Sequence, residues 1–151
     1  MENVTCQSSV YYSPHGGATT ALIRQLEKAE RTIRVAIYGL THSDLINALV
    51  AAKGRGIEVV VKVDKVQSAG QAQKTALAEL KKAGIPVEVS AQSRQLHHKF
   101  AVIDGRWVIT GSFNWTRNAE KSNRENLVIF DCPDLASSFS AEWELIRHDG
   151  P

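Results

Sequence analysis

A short segment in the second half of the chain carries an imidazole and an ammonium group two residues apart. It reads Leu96-His97-His98-Lys99-Phe100 and opens an apolar run. Residues two apart face the same side of a strand, so His97 and Lys99 would project together and His98 would face away. A phosphate held between His97 and Lys99 would meet a nucleophile and a cation at once. The pair therefore predicts phosphate-ester chemistry.

Neutral hydrogen-bond donors follow this pair along the chain. Gly111-Ser112-Phe113-Asn114 comes after a predicted strand, where a loop can return side chains to the same place. The Ser112 hydroxyl and the Asn114 amide would suit the non-bridging oxygens of a phosphodiester. Glu125 is a candidate partner for the far nitrogen of His97, where a carboxylate would fix the tautomer and raise the basicity of the ring.

Each of these residues also has an ordinary structural explanation. A His-x-Lys pair on a strand is usually surface decoration, and Asp104 is explained as a turn residue. Asn114 could cap the segment that follows it. Glu125 could form a surface ion pair with Arg124 or Lys121. The complete set at fixed spacing is what favours a catalytic interpretation.

Alternating strands and helices must position these residues. Apolar and β-branched runs predict strands over 10–12, 33–38, 57–63, 86–89, 100–103, 107–110 and 127–130. Helical spacing of apolar residues predicts helices over 19–31, 43–52, 69–83 and 135–146, the second capped by Ser43. Asp104-Gly105 is typical of a hairpin, which makes the sheet mixed. We therefore expect one α/β domain over 1–151, a mixed β-sheet with helices packed on both faces.

Composition and charge exclude few classes of function. Of 151 residues, 43% are hydrophobic and 23% charged, as in an ordinary soluble protein. No apolar run approaches the length of a membrane span. The net charge of +2 permits nucleic-acid binding without arguing strongly for it. The distribution is more informative, because six basic residues crowd into one third of the chain: Arg94, Lys99, Arg106, Arg117, Lys121 and Arg124. By charge alone, a solvated polar face is the favoured explanation of this cluster.

The two cysteines, Cys6 and Cys132, lie far apart in the sequence. Without a Cys-x-x-Cys pair, a His-Glu-x-x-His motif or a dense carboxylate cluster, no metal site is predicted. Two free buried thiols are the first expectation, and a Cys6–Cys132 bridge is the alternative in an oxidising compartment. The N-terminus lacks a signal-peptide pattern. A cytoplasmic location, and a periplasmic or secreted one after removal of a signal, both remain open.

The spacing of the motif resembles the signature of the phospholipase D superfamily. It runs His97-x-Lys99, four residues, Asp104, six residues, Gly111-Ser112-x-Asn114. Further segments resemble the small single-motif bacterial endonucleases of that superfamily: Val10-Tyr11-Tyr12-Ser13-Pro14, Ala48 to Gly56, Ala83-Gly84-Ile85-Pro86-Val87, Gly111 to Thr116 and Asn123-x-Glu125-Asn126. The resemblance covers nearly the whole chain.

This resemblance implies a two-step reaction without a metal or other cofactor. His97 would attack phosphorus to form a phosphohistidine, and a second histidine would protonate the leaving oxygen and then activate water. The other implied roles are phosphoryl contacts for Lys99 and Asn114 with help from Ser112, orientation of His97 by Glu125, and structural positions for Asp104 and Gly111.

The family site requires two such motifs, and this chain has one. His15, His42 and His148 lack a nearby lysine at matching spacing. The simplest completion is a homodimer that brings His97 of each chain to a shared two-fold axis.

Three functions are compatible with these observations. The first is a non-specific endonuclease on DNA, with RNA as an open second substrate, bound through Arg94, Trp115, Arg117, Lys121 and Arg124. Trp115 could equally be a packing residue. The second is a lipid phosphodiesterase, which would require an apolar rim. No amphipathic membrane helix is evident, so no stable membrane association is expected. The third, a non-catalytic nucleic-acid-binding module, is disfavoured by the intact motif.

Overall fold

The computed structural model describes residues 5–91 and 93–147, so His148 lies outside the described residues. The strands are β1 (Gln7–Ser13), β2 (Thr32–Ile37), β3 (Glu58–Val63), β4 (Val87–Val89), β5 (Lys99–Ile103), β6 (Trp107–Gly111) and β7 (Glu125–Asp131). The helices are α1 (Ala18–Glu27), α2 (Ser43–Gly54), α3 (Lys65–Ser68), α4 (Gln71–Lys82), α5 (Arg117–Lys121) and α6 (Pro133–Leu145).

The strands form one seven-stranded sheet in the order β1-β7-β6-β5-β2-β3-β4. β2, β3 and β4 run parallel and are joined by crossover helices. β1, β7, β6, β5 and β2 pair antiparallel with their neighbours. The predicted mixed sheet is therefore confirmed.

Helices cover both faces of this sheet, as predicted. Side chains alternate between faces along a strand, so Val35 of β2 lies in one apolar cluster and Ala36 in another. The larger cluster packs α1, α2 and α4 against the sheet. The smaller cluster packs α6, through Ala136 and Trp143, against the opposite face. In the described part of the chain, no helix is both long and apolar enough to cross a membrane.

Several predicted helix boundaries differ from the structure, and two of the differences have a cause in a capping contact. The expected helix over 69–83 begins at Gln71, after Gly70, and a separate short helix that was not predicted, α3, precedes it, where the Asp64 carboxylate accepts the Gln67 N–H at 2.9 Å. Ser43 is the first residue of α2 and not its cap. His42 caps this helix instead, because its Nδ1 accepts the Asp44 N–H at 3.2 Å.

The Asp104-Gly105 hairpin forms as predicted between β5 and β6. Both residues have positive φ, 56° and 61°, as a two-residue type I′ turn requires. The Asp104 carboxylate also accepts three backbone N–H groups, those of residues 30–32 at the start of β2. Partial burial opposes ionisation, but these donors outweigh it and lower the pKa of Asp104. The motif aspartate therefore joins the hairpin to β2.

The expectation of two free thiols is wrong, because a disulfide joins Cys6 and Cys132 with their Cα atoms 4.9 Å apart. The cause lies in the sheet register. β1 and β7 pair with Gln7 opposite Asp131, and the next step along both strands places Cys6 opposite Cys132. This register joins two distant parts of the chain, and neither cysteine's local sequence indicates it.

Removal of this disulfide should destabilise the protein. The bridge spans 126 residues, and the chain-entropy argument gives a decrease of about 3–5 kcal/mol in the free energy of unfolding for a loop of that order. Urea unfolding of the oxidised and dithiothreitol-treated protein measures it. A Cys6→Ser/Cys132→Ser variant is the control and should match the reduced protein. Equal midpoints for oxidised and reduced protein would contradict the expectation.

Candidate active site

The predicted catalytic residues lie at one end of the sheet, and the motif aspartate, Asp104, lies at the other. Antiparallel pairing sets Lys99, at the start of β5, opposite Ile37 at the end of β2. Gly111, at the end of β6, pairs with Leu127 near the start of β7. Four strand ends therefore bring distant parts of the sequence to one edge of the sheet.

His97 and Lys99 lie together at this edge. The Lys99 Nζ is 2.8 Å from His97 Nδ1 and 3.2 Å from Nε2, and it donates to the His97 carbonyl at 2.8 Å. The ring of Tyr38 lies 4.7 Å from the His97 ring, centroid to centroid. The His97 side chain is exposed, whereas Lys99 is half-buried. An imidazole open to solvent thus stands beside a constrained cation.

His98 takes the opposite direction. Its Nε2 lies 3.1 Å from the Glu142 carboxylate on α6, and its ring packs edge-on against Phe100. Only one of the two adjacent histidines therefore faces Lys99, as the alternation of side chains along a strand predicts.

Two opposing influences act on the ammonium group of Lys99. Burial lowers its pKa, because desolvation disfavours the charged form, and the negative charge of Glu125 acts in the opposite direction. Glu125 therefore favours the cationic form of Lys99. In this form Lys99 can neutralise a phosphate oxygen.

Asn114 is held with its amino group available. Its Oδ1 accepts the Gly39 N–H at 3.0 Å, so the side-chain oxygen is engaged and the Nδ2 group is left as the donor. A Cβ at position 39 would lie 3.3 Å from the Asn114 amide, tighter than most packed contacts. The close approach therefore favours glycine at position 39.

Ser112 and Gly111 connect the end of β6 to β7. The Ser112 Oγ accepts the Asn126 N–H at 3.1 Å, and the Ser112 N–H donates to the Asn126 carbonyl at 3.1 Å. Gly111 has φ 143°, and a Cβ there would overlap the Asn126 carbonyl oxygen. Position 111 therefore requires glycine, and Ser112 remains exposed beside the site.

Glu125 binds a neighbour other than His97 within this chain, so its predicted orientation of the imidazole stays a prediction. Its Oε2 accepts from the Asn123 side-chain amide at 3.2 Å. Within 5–91 and 93–147, no hydrogen bond joins Glu125 to His97. Glu125 is the first residue of β7, and its carboxylate binds Asn123 just before that strand, while Tyr38, directly after β2, lies against the imidazole.

Trp115 is not available to a substrate. Its side chain is 1% exposed in the large apolar cluster, so the predicted stacking on a base is wrong and the packing alternative is correct. The remaining predicted substrate contacts are exposed: Arg94, Arg117, Lys121 and Arg124. Arg117 donates to the Ser43 hydroxyl at 2.8 Å.

Two supporting residues were missed by the sequence reasoning, namely Tyr38 and Asp64. Asp64 is 3% exposed, and its Oδ1 accepts the Leu96 N–H at 2.9 Å, one residue before His97. Tyr38 and Asp64 each come directly after a buried strand, β2 or β3. A polar residue at that position is the signal that could have identified them.

Comparison with known proteins agrees with this arrangement. The family described as "Cardiolipin synthase, PLD-like domain" matches residues 22–146. A phospholipase D of Rickettsia typhi is 36% identical over 135 residues, which cover 89% of this chain and 65% of that protein. A mitochondrial cardiolipin hydrolase of Xenopus tropicalis is 33% identical over 150 residues, covering 93% of this chain and 70% of that protein. The chain thus spans about two thirds of the length of these curated relatives.

Two solved structures share nearly the whole fold. Nuc from Salmonella typhimurium, described as a phospholipase D family member, has a TM-score of 0.89 and 35% identity, covering 93% of both chains. NucT from Helicobacter pylori has a TM-score of 0.84 and 25% identity, covering 94% of this chain and 96% of that one. The residues matched by the family, 22–146, contain His97 and Lys99.

Proposed function

The chain belongs to the phospholipase D superfamily of phosphodiesterases, and from this premise we propose that it is a metal-independent endonuclease that cleaves DNA through a phosphohistidine. The observation that carries the proposal is the exposed His97 imidazole with the Lys99 ammonium 2.8 Å from its Nδ1. In the free protein this ammonium lies against the ring. A bound phosphate would draw it away and free the imidazole for attack.

The proposed reaction has two displacements at phosphorus. A nitrogen of His97 forms a bond to phosphorus, the bond to the leaving oxygen breaks, and a second imidazolium protonates that oxygen. The same second imidazole then removes a proton from water, the water oxygen attacks phosphorus, and the phosphorus–nitrogen bond breaks. Lys99 and the Asn114 Nδ2 group stabilise the charge on the non-bridging oxygens, assisted by Ser112.

We infer that the second imidazole comes from His97 of another copy of the chain. His42 is fully buried against Glu120, and His98 faces α6, so neither can reach the phosphate. His15 is exposed, but no lysine stands two residues from it in the sequence as Lys99 does from His97. A two-fold axis near His97 would supply both the nucleophile and the acid from one residue.

We also propose that residues 1–151 form one domain.

DNA is the preferred substrate of this proposal because exposed cations flank the motif. Arg94, Lys121 and Arg124 can contact backbone phosphates without reading sequence, which suits non-specific cleavage. RNA presents the same phosphodiester and remains a second substrate to test.

One observation favours a lipid phosphodiester as the alternative substrate. Val10 and Tyr12 on β1 are 49% and 58% exposed, and β1 ends beside Glu125. They could form the apolar rim that a lipid substrate requires. The mitochondrial cardiolipin hydrolases and phospholipases D among the relatives give this alternative further support.

Substrate preference can be tested with two substrates in excess EDTA. We expect plasmid DNA to be nicked and linearised, and cardiolipin vesicles to be left intact, because the exposed cations match a polyanion. A Val10→Ser/Tyr12→Ser variant is the matched control and should cleave DNA like the wild type. If the wild type hydrolyses cardiolipin but not plasmid DNA, and the variant loses the cardiolipin activity, the substrate is a lipid and the DNA proposal is wrong. Plasmid cleavage that occurs without EDTA and disappears when EDTA is added would contradict the metal-independent mechanism.

A further inference from the structure

A buried glutamine lies behind the site and takes no part in the proposed chemistry. Gln73 on α4 is 2% exposed, and both ends of its amide are engaged. Its Oε1 accepts the Leu40 N–H at 2.8 Å, and its Nε2 lies 3.3 Å from the Tyr38 carbonyl and 3.1 Å from the Ser68 hydroxyl. Burial of an amide raises the free energy of the folded state unless its hydrogen bonds are made, and Gln73 makes them at both ends.

These contacts bracket one residue, Gly39. Gln73 binds the carbonyl before it, on Tyr38, and the N–H after it, on Leu40. The segment has just left β2, and its other backbone groups bond elsewhere: the Tyr38 N–H donates to the His98 carbonyl, and the Gly39 carbonyl accepts the Trp115 N–H. The Tyr38 carbonyl and the Leu40 N–H need a partner of their own, which Gln73 provides. A glutamine offers an acceptor and a donor on one rigid amide, and can therefore hold both sides of the glycine at once.

The bracketed segment reaches the site through two contacts. The Gly39 N–H donates to the Asn114 Oδ1, which leaves the Nδ2 group of that amide as the donor. The Tyr38 ring lies against the His97 ring. A displacement of this segment would therefore move the phosphate donor and the nucleophile together.

We propose that Gln73 is a positioning residue for phosphodiester cleavage, acting through the Tyr38–Leu40 backbone on Asn114 and His97. This inference rests on the proposed function for its kinetic consequence, whereas its structural part stands independently. Gln73 touches no reacting atom. Its contribution is to keep the Asn114 amide and the imidazole in the geometry that the phosphate requires.

The kinetic test compares Gln73→Leu with Gln71→Leu. Gln71 lies on the same helix but is exposed, and its side-chain amide donates to the Thr75 hydroxyl one turn later, so it is the matched control. We expect Gln73→Leu to lower kcat about 10–100-fold with KM changed by less than about threefold, because misplaced groups impair the chemical step more than binding. Gln71→Leu should match the wild type in both.

A second variant, Gln73→Glu, provides a readout that a general loss of packing would not give. A protonated glutamic acid keeps one acceptor and one donor, so it can still bracket Gly39, whereas the carboxylate would repel the Tyr38 carbonyl. The ratio of its kcat to that of the wild type should therefore rise as the pH is lowered. The same ratio for Gln73→Leu should stay flat.

Amide hydrogen exchange tests the structural part without any substrate. The Gly39 N–H bonds to Asn114 and not to Gln73, so faster exchange in Gln73→Leu would report a transmitted displacement. The Asp104 N–H is the internal reference, because it lies just past the end of β5 that is remote from the site and donates to the Thr32 carbonyl. Its exchange rate should be unchanged.

Faster exchange at Gly39 with a selective loss of kcat supports the proposal. Unchanged exchange at Gly39, unchanged kcat in Gln73→Leu, or equally faster exchange at Gly39 and Asp104 would each overturn it. If the wild type turns over no phosphodiester, the proposed function fails, and exchange at Gly39 alone decides whether Gln73 positions the segment.

Discussion

Replacement of His97 by alanine should abolish phosphodiester cleavage, with a loss in kcat on the order of 10⁴-fold or more, the scale expected when a nucleophile is removed. Neither of two other described histidines can replace the exposed ring, since His98 points to Glu142 and His42 is buried. Single-turnover cleavage of a labelled duplex in EDTA measures the effect. KM should change little, because the phosphate contacts of Lys99 and Asn114 remain.

His98→Ala is the matched control for this experiment. It removes an adjacent imidazole of similar exposure, but one on the opposite side of the strand, and activity should stay within a few-fold of the wild type. Rapid quenching of the wild type should also trap phosphate on His97 as an acid-labile, alkali-stable adduct. Full activity in His97→Ala, or equal losses in the two variants, would contradict the assigned nucleophile.

The fold was predictable because its signals are local. The apolar run of β3 and the helical spacing in α2 each fall within a dozen residues, and Asp104-Gly105 favours a hairpin by its own backbone preferences. The short helix α3 was not predictable in the same way. It depends on a cap from Asp64, whose carboxylate could have bonded to any nearby donor.

The same distinction, between local signals and contacts set by the tertiary fold, applies to the residues of the site. His97 and Lys99 were paired correctly because two residues on one strand have a fixed relation. Trp115 was assigned wrongly because an indole has several possible surroundings, and only the tertiary fold chooses among them. The Glu125 carboxylate binds Asn123 within the chain, so its contact with His97 stays a prediction. Gln73 gave no signal, since it acts on backbone groups more than 30 residues away in sequence.

The proposed dimer leads to the second large effect, a dominant loss of activity on mixing chains. If each site uses His97 of both copies, a pair with one alanine has either no nucleophile or no acid. With a ninefold excess of His97→Ala chain and free exchange, only about one in ten wild-type chains would meet a wild-type partner. Activity per wild-type chain should therefore fall about tenfold. Plasmid cleavage after joint refolding measures it.

The same excess of His98→Ala chain is the control, and it should add activity instead of removing it. Sedimentation of the wild type should give about twice the chain mass of 16.6 kDa. If the total activity is proportional to the amount of wild-type chain at every excess of the His97→Ala chain, one chain holds a complete site. The acid would then have to be sought elsewhere in the same chain, with the exposed His15 as the first candidate. The mixing experiment thus distinguishes a shared site from a self-contained one without assuming the substrate, because any phosphodiester that the wild type cleaves can report it.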